Sequence, residues 1–142
     1  MKPSWYVIIA GCGRLGANVA GMLSNMGHSV VVIDRKESAF EALPIEFTGF
    51  TIHGDVAAIE FLREAKIHQA NMVLAFTNDD NTNFMVAQIA QRVYHIPRVI
   101  SRVYDAGNLA LFHEFKIKTL TPVLLATGAL NKVIHRYMEE SG

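Results

Sequence analysis

The chain has a single cysteine, Cys12, so it cannot form an internal disulfide, which fits a reducing compartment. It has no excess of charge either: 13 Lys and Arg balance 13 Asp and Glu. That balance removes the basic footprint with which nucleic-acid binders neutralise phosphates. Apolar runs never reach the roughly 20 residues of a membrane span. The apolar opening after Lys2 is cut short by Arg14, and no small-residue cleavage pattern follows it, so it does not read as a signal peptide. The six histidines (His28, His53, His68, His95, His113 and His135) show no i, i+4 pairing and no cysteine partner, so no metal site is supported. Phosphate-binding GxxxxGK[ST] and nucleophile-elbow GxSxG patterns are missing as well. These gaps predict a soluble cytoplasmic protein whose route to a membrane would run through a partner.

The remaining composition is that of a packed core: 51% of residues are hydrophobic and 18% charged, over 142 residues. That length suits one domain over 1–142. Runs rich in β-branched residues alternate with stretches of helical period, the pattern of a Rossmann-type, doubly wound, mainly parallel α/β sheet of about six strands with helices on both faces. Strands are predicted over 5–10, 29–33, 48–53, 72–76, 98–104 and 119–120. Helices are predicted over 14–26, 56–66, 78–94, 106–115 and 122–138, with a poor short one over 38–43. Leu15, Val19 and Leu23 share an inward face, and Phe84, Ile89 and Val93 face partly inward. Thr121-Pro122 supplies an N-cap and a first-turn proline for the last helix. Hydride-transfer enzymes place their substrate on a second domain or a long insertion, and this chain offers neither.

The first strand runs into Gly11-Cys12-Gly13-Arg14-Leu15-Gly16, a GxGxxG opening a helix. Gly11 permits the tight turn, Gly13 lets a phosphate approach the backbone, and Gly16 lets helix and strand pack closely. The free N–H groups of the helix start and its dipole then hold phosphates. Asp34 ends the next strand, near the roughly 20-residue spacing of a carboxylate that takes ribose hydroxyls. The same carboxylate would repel the 2′-phosphate of NADP. Arg35 has three readings: a solvated charge, a guanidinium against the adenine ring, or a group that accommodates that phosphate.

The string GCGRLGANVAGMLSNMGHSVVVID at 11–34 resembles the opening of the RCK or KTN family, also called the TrkA N-terminal domain. Gly54-Asp55 matches the family's Gly-Asp pair after the third strand. TNDDNTNFMVAQIAQ at 77–91 resembles its Thr-x-Asp-Asp-x-x-Asn signature, and Ser101-Arg102-Val103 stands where it carries Ala-Arg-Val. The family's Gly-Ala-Asp-like step before the sixth strand is replaced by Lys116-Ile117-Lys118. The resemblance implies a non-enzymatic domain that binds NAD(H) or ATP, ADP or AMP and controls a membrane potassium channel or transporter through rearrangement of an oligomer. It implies phosphate contacts from Gly11, Gly13, Arg14 and Gly16, with Cys12 and Leu15 in the same loop, and ribose contact from Asp34 beside Arg35. Gly54, Asp55 and Val56 would lie toward the adenine, and Thr77, Asn78, Asp79 and Arg102 would line the rest of the cleft. In this family the arginine of the glycine loop can reach phosphates, sometimes across a subunit boundary, and the resemblance implies that role for Arg14. Most members continue into a C-terminal TrkA domain, which is not expected here.

Cys12 reads either as a redox sensor or as the small residue that fits between two glycines. Asp79-Asp80 reads as a helix cap or, alternatively, as paired carboxylates for acid–base or Mg²⁺ chemistry. The last helix, with Leu124, Leu125, Leu130, Val133, Ile134 and Tyr137, reads as a crossover surface for a homodimer or larger ring. No residue stands out as a general base. A small NAD-dependent oxidoreductase or redox sensor is the rival from another class, and a dimerisation domain with a vestigial site is a third.

Overall fold

The computed structural model describes residues 3–141. Six strands form one wholly parallel sheet in the order β3-β2-β1-β4-β5-β6. They are β1 (Tyr6–Ala10), β2 (Ser29–Asp34), β3 (Phe50–His53), β4 (Met72–Ala75), β5 (Arg98–Arg102) and β6 (Lys118–Leu120). The helices are α1 (Arg14–Asn25), α2 (Ile59–Glu64), α3 (Asp80–Gln88), α4 (Leu109–Glu114) and α5 (Pro122–Ser141). A two-turn 3-10 helix at Glu37–Ala42 joins β2 to β3, where a poor helix was expected before Pro44.

Parallel strands require crossovers, and crossovers are right-handed. From β1 to β3 the chain steps one way along the sheet, so α1 and the 3-10 helix cover one face. From β4 to β6 it steps the other way, so α3 and α4 cover the opposite face with α2. Alternation along β1 serves both layers: Val7 and Ile9 pack under α1 with Ala17, Ala20 and Leu23, while Ile8 and Ala10 pack with Leu62, Val86 and Phe112. The reversal falls between β1 and β4, and in open α/β sheets the crevice at that point takes ligands.

Two expectations need correction. The helix read over 78–94 ends its α turns at Gln88 and continues as a π-helical turn, Ile89–Val93. The wider turn shifts the phase of the residues after it, so Val93 is 58% exposed rather than inward. The helix read over 56–66 shrinks to Ile59–Glu64, after a turn in which the Ala57 N–H donates to the Asp55 side chain.

The three helical segments on the α2–α4 face give way to Lys66, His95 and Lys116, each with φ between 53° and 58°. This left-handed conformation costs a non-glycine residue about 1–2 kcal/mol. The last helix stands apart. None of the residues of α5 is buried, so about 30 Å of helix leaves the sheet without a partner among the described residues.

Candidate functional site

A cleft of about 660 Å³ opens over the carboxyl ends of β1, β2, β4 and β5. Its floor is the β1–α1 loop. Gly11 has φ +109°, and a Cβ there would lie 2.5 Å from the Phe76 carbonyl oxygen, so only glycine fits the turn. A Cβ on Gly16 would lie 2.1 Å from the Gly11 carbonyl oxygen, which makes Gly16 the contact that seats α1 on the strand. Gly13 differs: an added Cβ would meet nothing within 4 Å. Its backbone faces open space at the start of α1, which has no side-chain cap. The first-turn N–H groups there lack intrahelical partners, as at any helix start.

Asp34 closes the loop from the side. Its Oδ2 accepts the Cys12 N–H at 2.8 Å and its Oδ1 accepts the Lys36 N–H at 2.8 Å. A carboxylate has about four lone-pair sites, so one acceptor position remains on each oxygen. Two adjacent acceptors at the rim of a cleft match a vicinal diol. Gly54 packs where a Cβ would strike the Phe61 ring at 2.3 Å, and its N–H donates to the Asp34 carbonyl at 3.0 Å. The second and third strands thus enter the cleft together.

The opposite wall is organised by a residue the sequence reading did not single out. Asn83 is fully buried. Its Oδ1 accepts from the Thr77 N–H (2.9 Å) and hydroxyl (2.6 Å), and its Nδ2 donates to the Thr77 and Arg102 carbonyls (3.0 and 3.1 Å). All four hydrogen-bonding positions are used, which sutures the β4–α3 loop to the end of β5. Asp79 caps α3 as expected, accepting from the Asn81 N–H at 3.1 Å and the Thr82 hydroxyl at 2.9 Å. Asp80 does something else. It accepts the Tyr104 and Asp105 N–H groups (2.7 and 2.9 Å) and the Asn108 amide (2.9 Å), latching the loop after β5 to α3. Burial raises its pKa, but those hydrogen bonds and the nearby Arg102 charge outweigh burial and leave it below the usual carboxylate value. The only sequence signal for Asn83 was its place in the Thr-x-Asp-Asp-x-x-Asn pattern, and Asp80, read with Asp79 as a cap, instead holds Tyr104, Asp105 and Asn108.

The cleft brings together Gly11, Cys12, Gly13, Arg14, Asp34 and Arg35 on one side of the expected set. Gly54, Asp55, Val56, Thr77, Asn78, Asp79 and Arg102 complete it. Leu15 and Gly16 lie outside it: Leu15 packs against the core under α1, and Gly16 faces Gly11. Lys36, Thr82 and Tyr104 line the cleft in addition. Cys12 is 1% exposed, and burial, with the Asp34 charge second, pushes its thiol up to about 11. A thiol so protonated at neutral pH is a poor nucleophile. His28 is structural, its Nδ1 accepting the Trp5 N–H at 3.0 Å.

The family model for the TrkA-N domain matches residues 7–121, from β1 through the end of β6. The chain belongs to the TrkA-N family. It is 33% identical over 118 residues to the Trk system potassium uptake protein TrkA of Streptomyces coelicolor, covering 83% of this chain and 53% of that one. It is 33% identical over 132 residues to a TrkA homolog of Methanothermobacter thermautotrophicus, covering 92% and 61%. The chain therefore spans little more than half the length of these curated relatives. Among solved structures, the GsuK channel bound to NAD superposes with a TM-score of 0.81 at 22% identity, over 96% of this chain and 24% of that one. The Kef C-terminal domain of Shewanella denitrificans in its AMP-bound form gives 0.78 at 20% identity, over 96% and 82%. These two share the TrkA-N fold with the chain.

Proposed function

We propose that the chain is a non-enzymatic regulatory domain that binds an adenine nucleotide in the cleft and, within an oligomer, controls a membrane potassium channel or transporter. The observation that carries this reading is Asp34, fixed by two backbone N–H groups, with one acceptor position left on each oxygen beside an uncapped helix start. A ribose diol suits the first feature and phosphates suit the second. The residues of the cleft fit such a ligand: the space beside Gly13 is open, and the Nε of Arg102 is buried without a partner. In this reading Gly11, Gly13 and Arg14 face the phosphates, Arg35, Asp55 and Val56 flank the adenine end, and Thr77, Asn78, Asp79 and Arg102 flank the far end.

The TrkA names of the relatives support a role in potassium uptake, and the NAD-bound and AMP-bound neighbours support an adenine nucleotide. None of the helices among the described residues is long and apolar enough to cross a membrane. In this reading the domain lies on the cytoplasmic side and acts on a membrane channel or transporter. A second copy of this chain is the proposed cover for α5, whose Leu130, Ile134 and Tyr137 form one stripe at i, i+4 and i+7. Nucleotide would act by binding two arrangements of the paired domains with different affinity. The buried, protonated Cys12 thiol weighs against the redox-sensor alternative.

Calorimetric titration with NAD⁺, NADH, ATP, ADP and AMP, beside the mass in solution, tests the proposal. Binding of at least one of them by an oligomer is expected. Absence of binding for all five would overturn it.

A further inference from the structure

The cleft has two unlike ends, and the sheet order sets them apart. Asp34 lies at the exit of β2, the glycine loop at the exit of β1, and Arg102 at the exit of β5, beyond β4. If the ribose sits at Asp34 and the first phosphate at the glycine loop, a monophosphate ends near the centre. Any group beyond that phosphate must run toward β4 and β5.

Thr77, Asn78 and Asp79 flank that end, and the basic group there is Arg102, beside Tyr104. The Arg102 guanidinium carbon lies 4.1 Å from the centroid of the Tyr104 ring. Its Nε is buried and has no hydrogen-bond partner, a state in which a buried donor is costly. Asp80, the acidic group whose charge it feels, already accepts from the Tyr104 and Asp105 N–H groups and the Asn108 amide. Both members of the pair are pinned through their backbones, Arg102 by Asn83 and Tyr104 by Asp80. Stacking on an aromatic ring engages the face of a guanidinium and leaves its N–H edge for an acceptor, and phosphate matches that edge with two parallel bonds.

We infer that Arg102, held by Tyr104, Asn83 and Asp80, is a specificity-determining residue that recognises the terminal phosphate of an adenosine di- or triphosphate. The inference rests on the nucleotide-binding reading above and adds what the site selects for. Tyr104, Asn83 and Asp80 are positioning groups: they act by keeping the guanidinium at the far end.

The test is calorimetric titration of the intact protein with AMP, ADP and ATP, repeated for Arg102→Gln and Arg102→Lys. The expected result is that the ratio of ATP to AMP affinity falls about tenfold or more in Arg102→Gln, because a charge-assisted hydrogen bond is lost. Arg102→Lys should fall less, since it keeps the charge and loses the fork. A ratio unchanged in both variants overturns the assignment while leaving nucleotide binding in place. So does a ratio that survives Arg102→Gln and collapses in Arg14→Gln, which would move selection to the glycine loop. Failure of the unaltered protein to bind any of the three overturns the assignment, and failure to bind NAD⁺ and NADH as well overturns the underlying reading.

Discussion

Gly13 and Gly16 occupy one motif and do different physical work. A Cβ at Gly16 meets backbone at 2.1 Å, which nothing can relieve without moving α1 off β1. A Cβ at Gly13 meets nothing, and the backbone there already has φ −76°, which alanine accepts. Gly16→Ala should therefore lower stability by about 2 kcal/mol or more, at the level of severe overpacking. Gly13→Ala should cost no more than about 1 kcal/mol as an N-cap change, yet it should weaken nucleotide binding by crowding the phosphate approach. Urea unfolding and nucleotide titration of the two variants separate these roles. Equal losses of stability in both would contradict the division. The division was legible in the sequence, because GxGxxG spacing dictates which glycine faces a ligand and which faces the strand.

Elements show where sequence legibility stopped. Periodicity locates α3, but it cannot reveal one wide turn, so it does not show the π-helical turn at Ile89–Val93 and sets Val93 partly inward. Asp79-Asp80 looked like a pair of capping carboxylates, and only Asp79 caps. The partners of Asp80 are Tyr104, Asp105 and Asn108, 24 to 28 residues along the chain, and local reasoning does not reach that far. The apolar stripe of α5 was legible, and its exposure turns it into a prediction. Leu130 and Ile134 are 57% and 42% exposed, so removing them takes nothing from the core. The double variant Leu130→Asp, Ile134→Asp should sediment as a folded monomer, while its parent should sediment as a dimer or larger with an unfolding midpoint that rises with protein concentration. Identical masses for the two would contradict the role given to α5.

At the scale of the whole molecule, the alternation of strands and helices was enough to give a doubly wound parallel sheet. The reversal between β1 and β4 follows from that order, and with it the place of the cleft. The wall that completes the cleft was less legible. Asn83 is a polar residue buried in a helix, and its meaning appears only when Thr77 and Arg102 are brought to it from two different strand ends. Tyr104 likewise depends on the Asp80 latch to reach Arg102.

Replacing Asp34 would not isolate the ribose contact at the centre of this account, because the same carboxylate holds the Cys12 and Lys36 N–H groups. Changing the ligand leaves the protein intact. The decisive measurement is calorimetric titration of the unaltered protein with AMP and with 2′-deoxy-AMP, which differ by one hydroxyl. A hydrogen bond to a charged group contributes about 1.5–3 kcal/mol, so the deoxynucleotide should bind about ten- to a hundredfold more weakly. Equal affinity for the two would contradict the account.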